Sequence, residues 1–407
     1  MAKPKNVLLP IFLIVSVDVL GLTIILPLLP FYAERYGASP QVVGLLFMTY
    51  SLCQLVAGPV LGQLSDRYGR RPLLIVSQLG TFVGFIILGL ARSVPLIFFS
   101  RFLDGITAGN LSLAQAYISD VTAPEDRAKS FGIIGIAFGL GFLIGPALSG
   151  FLAQFDYTYP AWAAASLSLT SILCTYFLLP RAAPHTDRDG APPGRITVLN
   201  WGAYAGYFRR PELGVLLMDF FVFATMFGLF LSGFALFAER RFFAGGRPFG
   251  PKEVGYLYAY SGLLGVIIQG GLLGRLVKRF GERTLMLAGY ASAALGLAGL
   301  ALSRSLAVLM PFYTATSFGN GVLRPCLTSM VTRRTGRKEQ GVVLGLTQSL
   351  YSVAMILSPL AAGALIGRGR LAAWALCGSC LALAGLALTA RTLGPAAGPA
   401  GGDVEAA

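Results

Sequence analysis

Residues 62–71 read GQLSDRYGRR and residues 274–283 read GRLVKRFGER, with Gly, Leu, Arg, Gly and Arg at matched places and an offset of 212. A second match has offset 213: Gly132, Pro146 and Gly150 answer to Gly345, Pro359 and Gly363. Two independent matches agree on one period, so the chain is an internal duplication. What surrounds the repeated segments is apolar. The 407-residue chain is 55% hydrophobic and only 12% charged, and its apolar residues come in long blocks, which excludes a water-soluble globule.

A helix needs about 20 mostly apolar residues to cross about 30 Å of hydrocarbon. Twelve such blocks are present, at 7–32, 41–64, 72–91, 94–119, 128–154, 160–180, 212–238, 253–274, 284–303, 306–331, 340–366 and 371–391. The expected fold is therefore an all-α integral membrane protein with twelve transmembrane helices in two parallel six-helix repeats. The expected units are a bundle over 1–180, a linker over 181–211, a second bundle over 212–393 and a disordered tail over 394–407. An even number of spans gives both repeats one orientation, hence a pseudo-two-fold along the membrane normal and a substrate cavity between the halves. Within the linker, Thr197 to Phe208 mixes aromatic residues with flanking Arg and suits a short interfacial helix. The first block is too long for a signal-peptide core, and Asp18 interrupts it, so it is retained as span 1.

The net charge of +14 follows membrane topology rather than nucleic-acid binding. With the amino terminus inside, 21 Lys and Arg fall in interior segments and nine outside, an asymmetry that places both termini in the cytoplasm. A cluster at Arg240, Arg241, Arg247 and Lys252 runs against the trend. The five Cys all lie in spans and the single His, His185, lies in the linker, so neither a metal cage nor a disulfide framework is expected. Cys377 and Cys380, in span 12, read as small packing residues. The absence of a GxxxxGK[ST] motif removes ATP as the direct energy source, and no cofactor is expected.

Ionisable residues inside spans are costly and mark working sites. They are Asp18, Arg101, Asp104, Asp219 and Arg324. Asp18 lies about 16 Å into span 1, near the midplane. At 100° per residue, Arg101, Asp104, Ala108, Ser112, Gln115 and Ser119 form one stripe of span 4, as though lining water or substrate. Asn110 falls opposite, toward a neighbouring helix. In span 7, Asp219, Phe223, Met226, Phe230, Gly233 and Phe237 share a face, and an acid beside an aromatic wall suits a lipophilic, cationic substrate; ordinary aromatic packing explains the same stripe. In span 10, Asn320 and Arg324 are one turn apart, and Arg324 is either a counter-ion for Asp219 or a binder of anionic substrate. Gln348 completes the expected cavity. For proton coupling Asp18 is favoured over Asp104, because Arg101 at i−3 would neutralise the latter permanently.

The repeat and the loop GQLSDRYGRRP resemble the major facilitator superfamily, whose loop between spans 2 and 3 reads Gly-x-x-x-Asp-Arg-x-Gly-Arg-Arg. Gly62 and Gly69 would permit close helix approach and a tight turn, and Asp66 would suit a helix amino terminus. The resemblance implies a cytoplasmic latch of Gly62, Asp66, Arg67, Gly69, Arg70, Arg71 and Asp120 that holds the outward-facing state; topogenic charge explains the Arg residues alone. DVLGLTIILPLLP (18–30), RFLDGITAG (101–109), AYISDVTAPEDRA (116–128) and GLGFLIGPALSG (139–150) look like the twelve-span drug:proton antiporters of the tetracycline-resistance type. In that family the Gly141, Gly145, Pro146 and Gly150 motif is associated with antiport, and it also reads as a packing seam with a Pro kink. The tetracycline exporters carry an Asp where this chain has Gly84, and an acid in span 9 that this chain lacks. The resemblance thus implies a monomeric proton-coupled efflux antiporter of small amphipathic molecules in the cell membrane, partnered by protons and the lipid bilayer. A metabolite uniporter or importer is the alternative. An enzyme or a receptor has no support in the motifs.

Overall fold

A computed structural model of the chain describes residues 5–121, 127–180, 201–335 and 339–392. His185, most of the expected linker and the expected tail lie outside the described residues. Helices dominate because water is absent from hydrocarbon and each backbone N–H and C=O must be satisfied within its own segment. The first half comprises α1 (Lys5–Arg35), α2 (Pro40–Tyr68), α3 (Arg70–Leu90), α4 (Val94–Ile106), α5 (Asn110–Val121), α6 (Arg127–Leu152) and α7 (Tyr159–Leu178). A short α8 (Trp201–Phe208) stands where the interfacial helix is expected. The second half comprises α9 (Pro211–Arg241), α10 (Pro251–Ile267), a π turn (Ile268–Leu272), α11 (Leu273–Leu302), α12 (Leu306–Arg333), α13 (Gln340–Gly367) and α14 (Leu371–Thr392).

Nine of the described stretches are long and apolar enough to cross a bilayer by themselves. One of them, Pro251–Leu302, is 52 residues long, far more than one crossing needs. It reverses at Gly281, whose φ of 77° breaks the helix, and so contributes two passages. The α4–α5 pair and the more polar α12 complete twelve. Gly69, with φ 95°, turns the chain at the equivalent place 212 residues earlier, so the repeated glycine serves the same positive-φ turn in both halves. We call the end that carries these turns the linker end, and the opposite one the far end.

At the far end the two halves meet through backbone. α6 packs on α10, and α2 on α13. A Cβ on Gly255 would stand 2.5 Å from the Pro146 carbonyl oxygen, and one on Gly150 would stand 2.9 Å from that of Pro251. The other seam repeats the pattern, with Gly44 against the Pro359 carbonyl and Gly363 against that of Pro40. Gly141 and Gly145 serve a different contact, setting α6 against Val19 and Thr23 of α1, where Thr23 Oγ1 donates to the Gly141 carbonyl at 2.8 Å. Ion pairs close the same end: Arg240 on α9 reaches Glu34 on α1 at 2.5 Å, and Arg35 reaches Asp156 at 3.8 Å. The Thr158 backbone N–H, donated to the Asp156 carboxyl at 2.7 Å, holds that carboxyl below its ordinary pKa.

Two sequence expectations fail in this frame. Span 4 is not one helix, since α4 stops at Ile106 and α5 starts at Asn110, so counting 100° per residue across it is invalid. Ser77 on α3, fully buried, donates to the Thr107 carbonyl and accepts from the Gly109 N–H at 3.0 Å. The break is tolerated at membrane depth because protein supplies both partners. Cys377 and Cys380, read as small packing residues, are exposed on α14.

Gly255→Val is expected to separate α6 from α10. Overpacking of about 1–3 kcal/mol would shift the far end toward opening, read as a longer distance between spin labels on its loops. Gly274→Val, where a Cβ meets nothing within 4 Å, should leave the distance unchanged.

Candidate functional site

Three cavities lie along the interface of the halves and share lining residues Leu111, Phe138 and Gln348. One of about 340 Å³ sits in the first half and is lined by Asp18, Tyr50, Gln54, Asp104, Asn110, Ser112 and Gln115. A second, of about 160 Å³, touches Arg101 and Arg324. The largest, about 730 Å³, runs from Phe223, Phe227 and Phe230 past Asn320 and Arg324 to Ser329 and Thr332 at the linker end of α12. Gln348 lines all three. The far-end seams close off one side, and the chamber extends toward the other.

Asp18 stands on the first cavity beside Gln78 and Ser171. Those two bond each other at 2.8 Å, and Asp18 Oδ1 is buried with no hydrogen-bond partner. A buried carboxylate oxygen without a donor is costly when ionised. Asp104 is differently placed. Its carboxylate accepts from Arg101 Nη1 at 3.0 Å, both residues are 3% exposed, and the guanidinium also lies 5.7 Å over the Phe85 ring. Gly84 leaves room for this pair, its missing Cβ lying 3.1 Å from Asp104 Cβ. A side chain in place of Gly84 would press on Asp104 and on the Ser100 carbonyl, 3.3 Å from the added Cβ. Asn110, expected to bond a neighbouring helix, instead lines the Asp18 cavity with its Oδ1 unpartnered, because the α4–α5 break resets the second segment's phase. The side chain of Ser119 lies outside the described set.

The expected acid in the aromatic wall is not there. Asp219 is 1% exposed and turned into the second bundle, where it accepts from Tyr290 at 2.5 Å and from Thr389 at 2.7 Å. Met226 and Phe237 are likewise buried, and Phe237 packs on Trp374 with ring centroids 4.9 Å apart. A 31-residue α9 packed against α12, α13 and α14 has too little free face for the whole stripe, so of it only Phe223 and Phe230, themselves 1% and 4% exposed, border the chamber, together with Phe227. Arg324 does not pair with Asp219. It lies between the rings of Phe138 and Tyr351, at 5.8 and 5.4 Å.

At the linker end Arg70 binds two acids, Asp66 at 2.5 Å and Asp120 at 2.8 Å, and donates to Ser65 Oγ at 2.6 Å. Asp66 stands in the last turn of α2, not at a helix amino terminus. There the dipole disfavours a carboxylate, and Arg70 compensates. Gly62 gives no close helix approach, because a Cβ there would meet nothing; its carbonyl accepts from Ser65 at 2.5 Å. Arg67 lies over Tyr68 and Arg71 donates to the Tyr176 carbonyl, so neither joins the Arg70 cluster. The second half carries the same arrangement with charges reversed: Lys278 and Glu282 answer to Asp66 and Arg70, and Arg333 answers to Asp120. Glu282 accepts from Ser329 at 2.6 Å and pairs with Arg333 at 3.3 Å. Close by, Arg210 grips Glu339 with both nitrogens, at 2.7 and 2.9 Å, and holds that carboxyl below its ordinary pKa.

Sequence reading missed Gln269, which the π turn presents to the large cavity. The signal available was a glutamine followed by two glycines inside an apolar span; π turns gather at working sites.

The profile of the Major Facilitator Superfamily matches residues 11–359 and 250–404. The chain belongs to the major facilitator superfamily. As a major facilitator it resembles tetracycline resistance protein, class C, of Escherichia coli, 30% identical over 362 residues and covering 88% of this chain and 89% of that one. Multidrug resistance protein 2 of Bacillus subtilis (strain 168) is 29% identical over 379 residues, covering 90% and 91%. Among solved structures, the human organic anion transporter MFSD10 (TETRAN) superposes with a TM-score of 0.71 at 25% identity, covering 96% of this chain and all of that one.

Asp219→Ala is expected to lower thermal stability by about 1–3 kcal/mol, the worth of two hydrogen bonds in a membrane interior, while leaving the substrate profile of transport unchanged. Phe230→Ala, at a ring that borders the chamber and packs on Phe234 and Tyr313, should change the profile as well as lower the melting temperature.

Proposed function

We propose that the chain is a proton-coupled efflux antiporter of small amphipathic molecules, multi-pass in the cell membrane, monomeric, with both termini and the linker end in the cytoplasm. The carrying observation is a chamber between two six-helix halves, closed at the far end by glycine seams, with one carboxyl on its wall, Asp18, that no cation pairs among the described residues. The kinship to tetracycline and multidrug resistance proteins supports export. In this reading the chamber faces the cytoplasm, and rocking of the halves exposes it outward.

Asp18 serves as the proton site. Closure around it favours the neutral acid and hydration favours the carboxylate, so its proton load follows the conformational state. Asp104 stays tied to Arg101. Arg70, with Asp66 and Asp120, serves as the latch that tightens when the linker end closes, and the charge-reversed Glu282 and Arg333 serve the second half in the same way. Neither cluster lies in the chamber, so both bias conformations without touching substrate.

Asp18→Asn is expected to abolish pH-driven uptake into everted vesicles while preserving insertion and substrate exchange, since the amide keeps the volume but not the proton. Uptake that remains fully pH-driven would return coupling to Asp104. Arg70→Ala should lower turnover at least several-fold with little change in equilibrium substrate binding. Lost binding with an unchanged inward/outward distribution would show that the latch reading is wrong.

A further inference from the structure

Arg324 is the one charged residue lining the 730 Å³ chamber among the described residues. Its surroundings are unusual for a cation inside a membrane protein, where charges pair with one another or with backbone carbonyls. No carboxylate among the described residues forms an ion pair with its guanidinium. Asp104 is taken by Arg101 and Asp219 by Tyr290 and Thr389. Phe138 from the first half and Tyr351 from the second flank it. Ring faces attract the charge but accept no in-plane N–H bond, and the side chain is exposed to the open chamber, so its fork is accessible to a ligand. One turn earlier, Asn320 Oδ1 is buried without a partner.

We infer that the chamber binds planar aromatic amphiphiles bearing a carboxylate or similarly forked anion, with the anion on Arg324 and the ring system against Phe223, Phe227 and Phe230. The inference rests on reading the chamber as the transport path. A carboxylate matches the guanidinium fork with two parallel hydrogen bonds, and only the ligand can supply that anion. The unpartnered Asn320 oxygen calls for a hydroxyl or N–H donor on the same molecule. The removal of Asp219 from the wall reverses the charge preference that the span 7 stripe suggests, so cations find no acid in this chamber. The acid that remains available, Asp18, borders the smaller cavity, which keeps the proton group apart from the anion-binding group.

The test is calorimetric binding of three probes of one shape to the purified full-length protein at fixed pH and salt: 2-naphthoate, 2-naphthamide and 2-naphthylmethylammonium. Naphthoate is expected to bind about ten-fold or more tightly than the amide, the worth of a charge-assisted pair, with the cation weakest. Arg324→Gln should bring naphthoate and the amide within about two-fold of each other, and Arg324→Lys, which keeps the charge but loses the fork, should fall between. Asp219→Asn should retain the full preference. If Arg324→Gln is unstable, the Lys variant decides the matter. A tightest-binding cation, an unchanged preference in the Arg324 variants, or no naphthoate binding to the unmodified protein would each overturn the inference. Because no gradient is involved, loss of the anion preference leaves proton-driven export standing, and failure of export leaves the preference standing.

Discussion

In hydrocarbon no water is present to complete a hydrogen bond, so each polar group buried there either finds a protein partner or carries an unrelieved cost. Most of the architecture follows from this constraint. It makes the chain helical and forces Ser77 to cap both broken ends of span 4. It gives Tyr32 two carbonyls at the close of α3 and gives Arg241 two carbonyls at the close of α11. Among the buried polar atoms that it leaves unmet, Asp18 Oδ1, Asn110 Oδ1 and Asn320 Oδ1 belong to residues that line the cavities between the halves.

The halves hold together where side chains are missing. Glycine against a carbonyl recurs in both far-end seams, and each seam pairs a glycine and a proline-bearing turn from opposite repeats. Backbone contact of this kind gains dispersion and loses no side-chain entropy, but it tolerates no added methyl group. The ion pairs described at the linker end lie within each half, Arg70 with Asp66 and Asp120 in the first and Glu282 with Arg333 in the second. Arg70 with its two acids and Glu282 with Arg333 are exposed enough to be rehydrated, and ion pairs in such surroundings are worth little net free energy. An end close-packed between the halves, and a hydrated end whose ion pairs stay within each half, suit a molecule in which the second can open and close.

The two halves also divide the chemistry. The first half contributes acids, one neutralised within its own helix and one not. The second half contributes aromatic rings and a cation. Asp219 belongs to neither role. Its two hydroxyl donors join α9 to α11 and α14 and stiffen the second bundle, so a membrane-buried carboxylate here is a structural strut.

The amino-acid sequence by itself determined the twelve passages, the duplication and its period, the family, and the five ionisable residues inside spans, because hydropathy, glycine spacing and charge cost act locally along a chain. It also carried the preference for Asp18 over Asp104, since an i, i+3 partner is visible in one dimension. Only the tertiary structure decided which intramembrane charges face the chamber. The phase of span 4 depended on Ser77 from another helix, the fate of Asp219 on Tyr290 and Thr389 lying 71 and 170 residues away, and the isolation of Arg324 on what its neighbours already held. Pairing in a low-dielectric interior is a long-range competition among helices, and periodicity within one helix holds no information about its outcome.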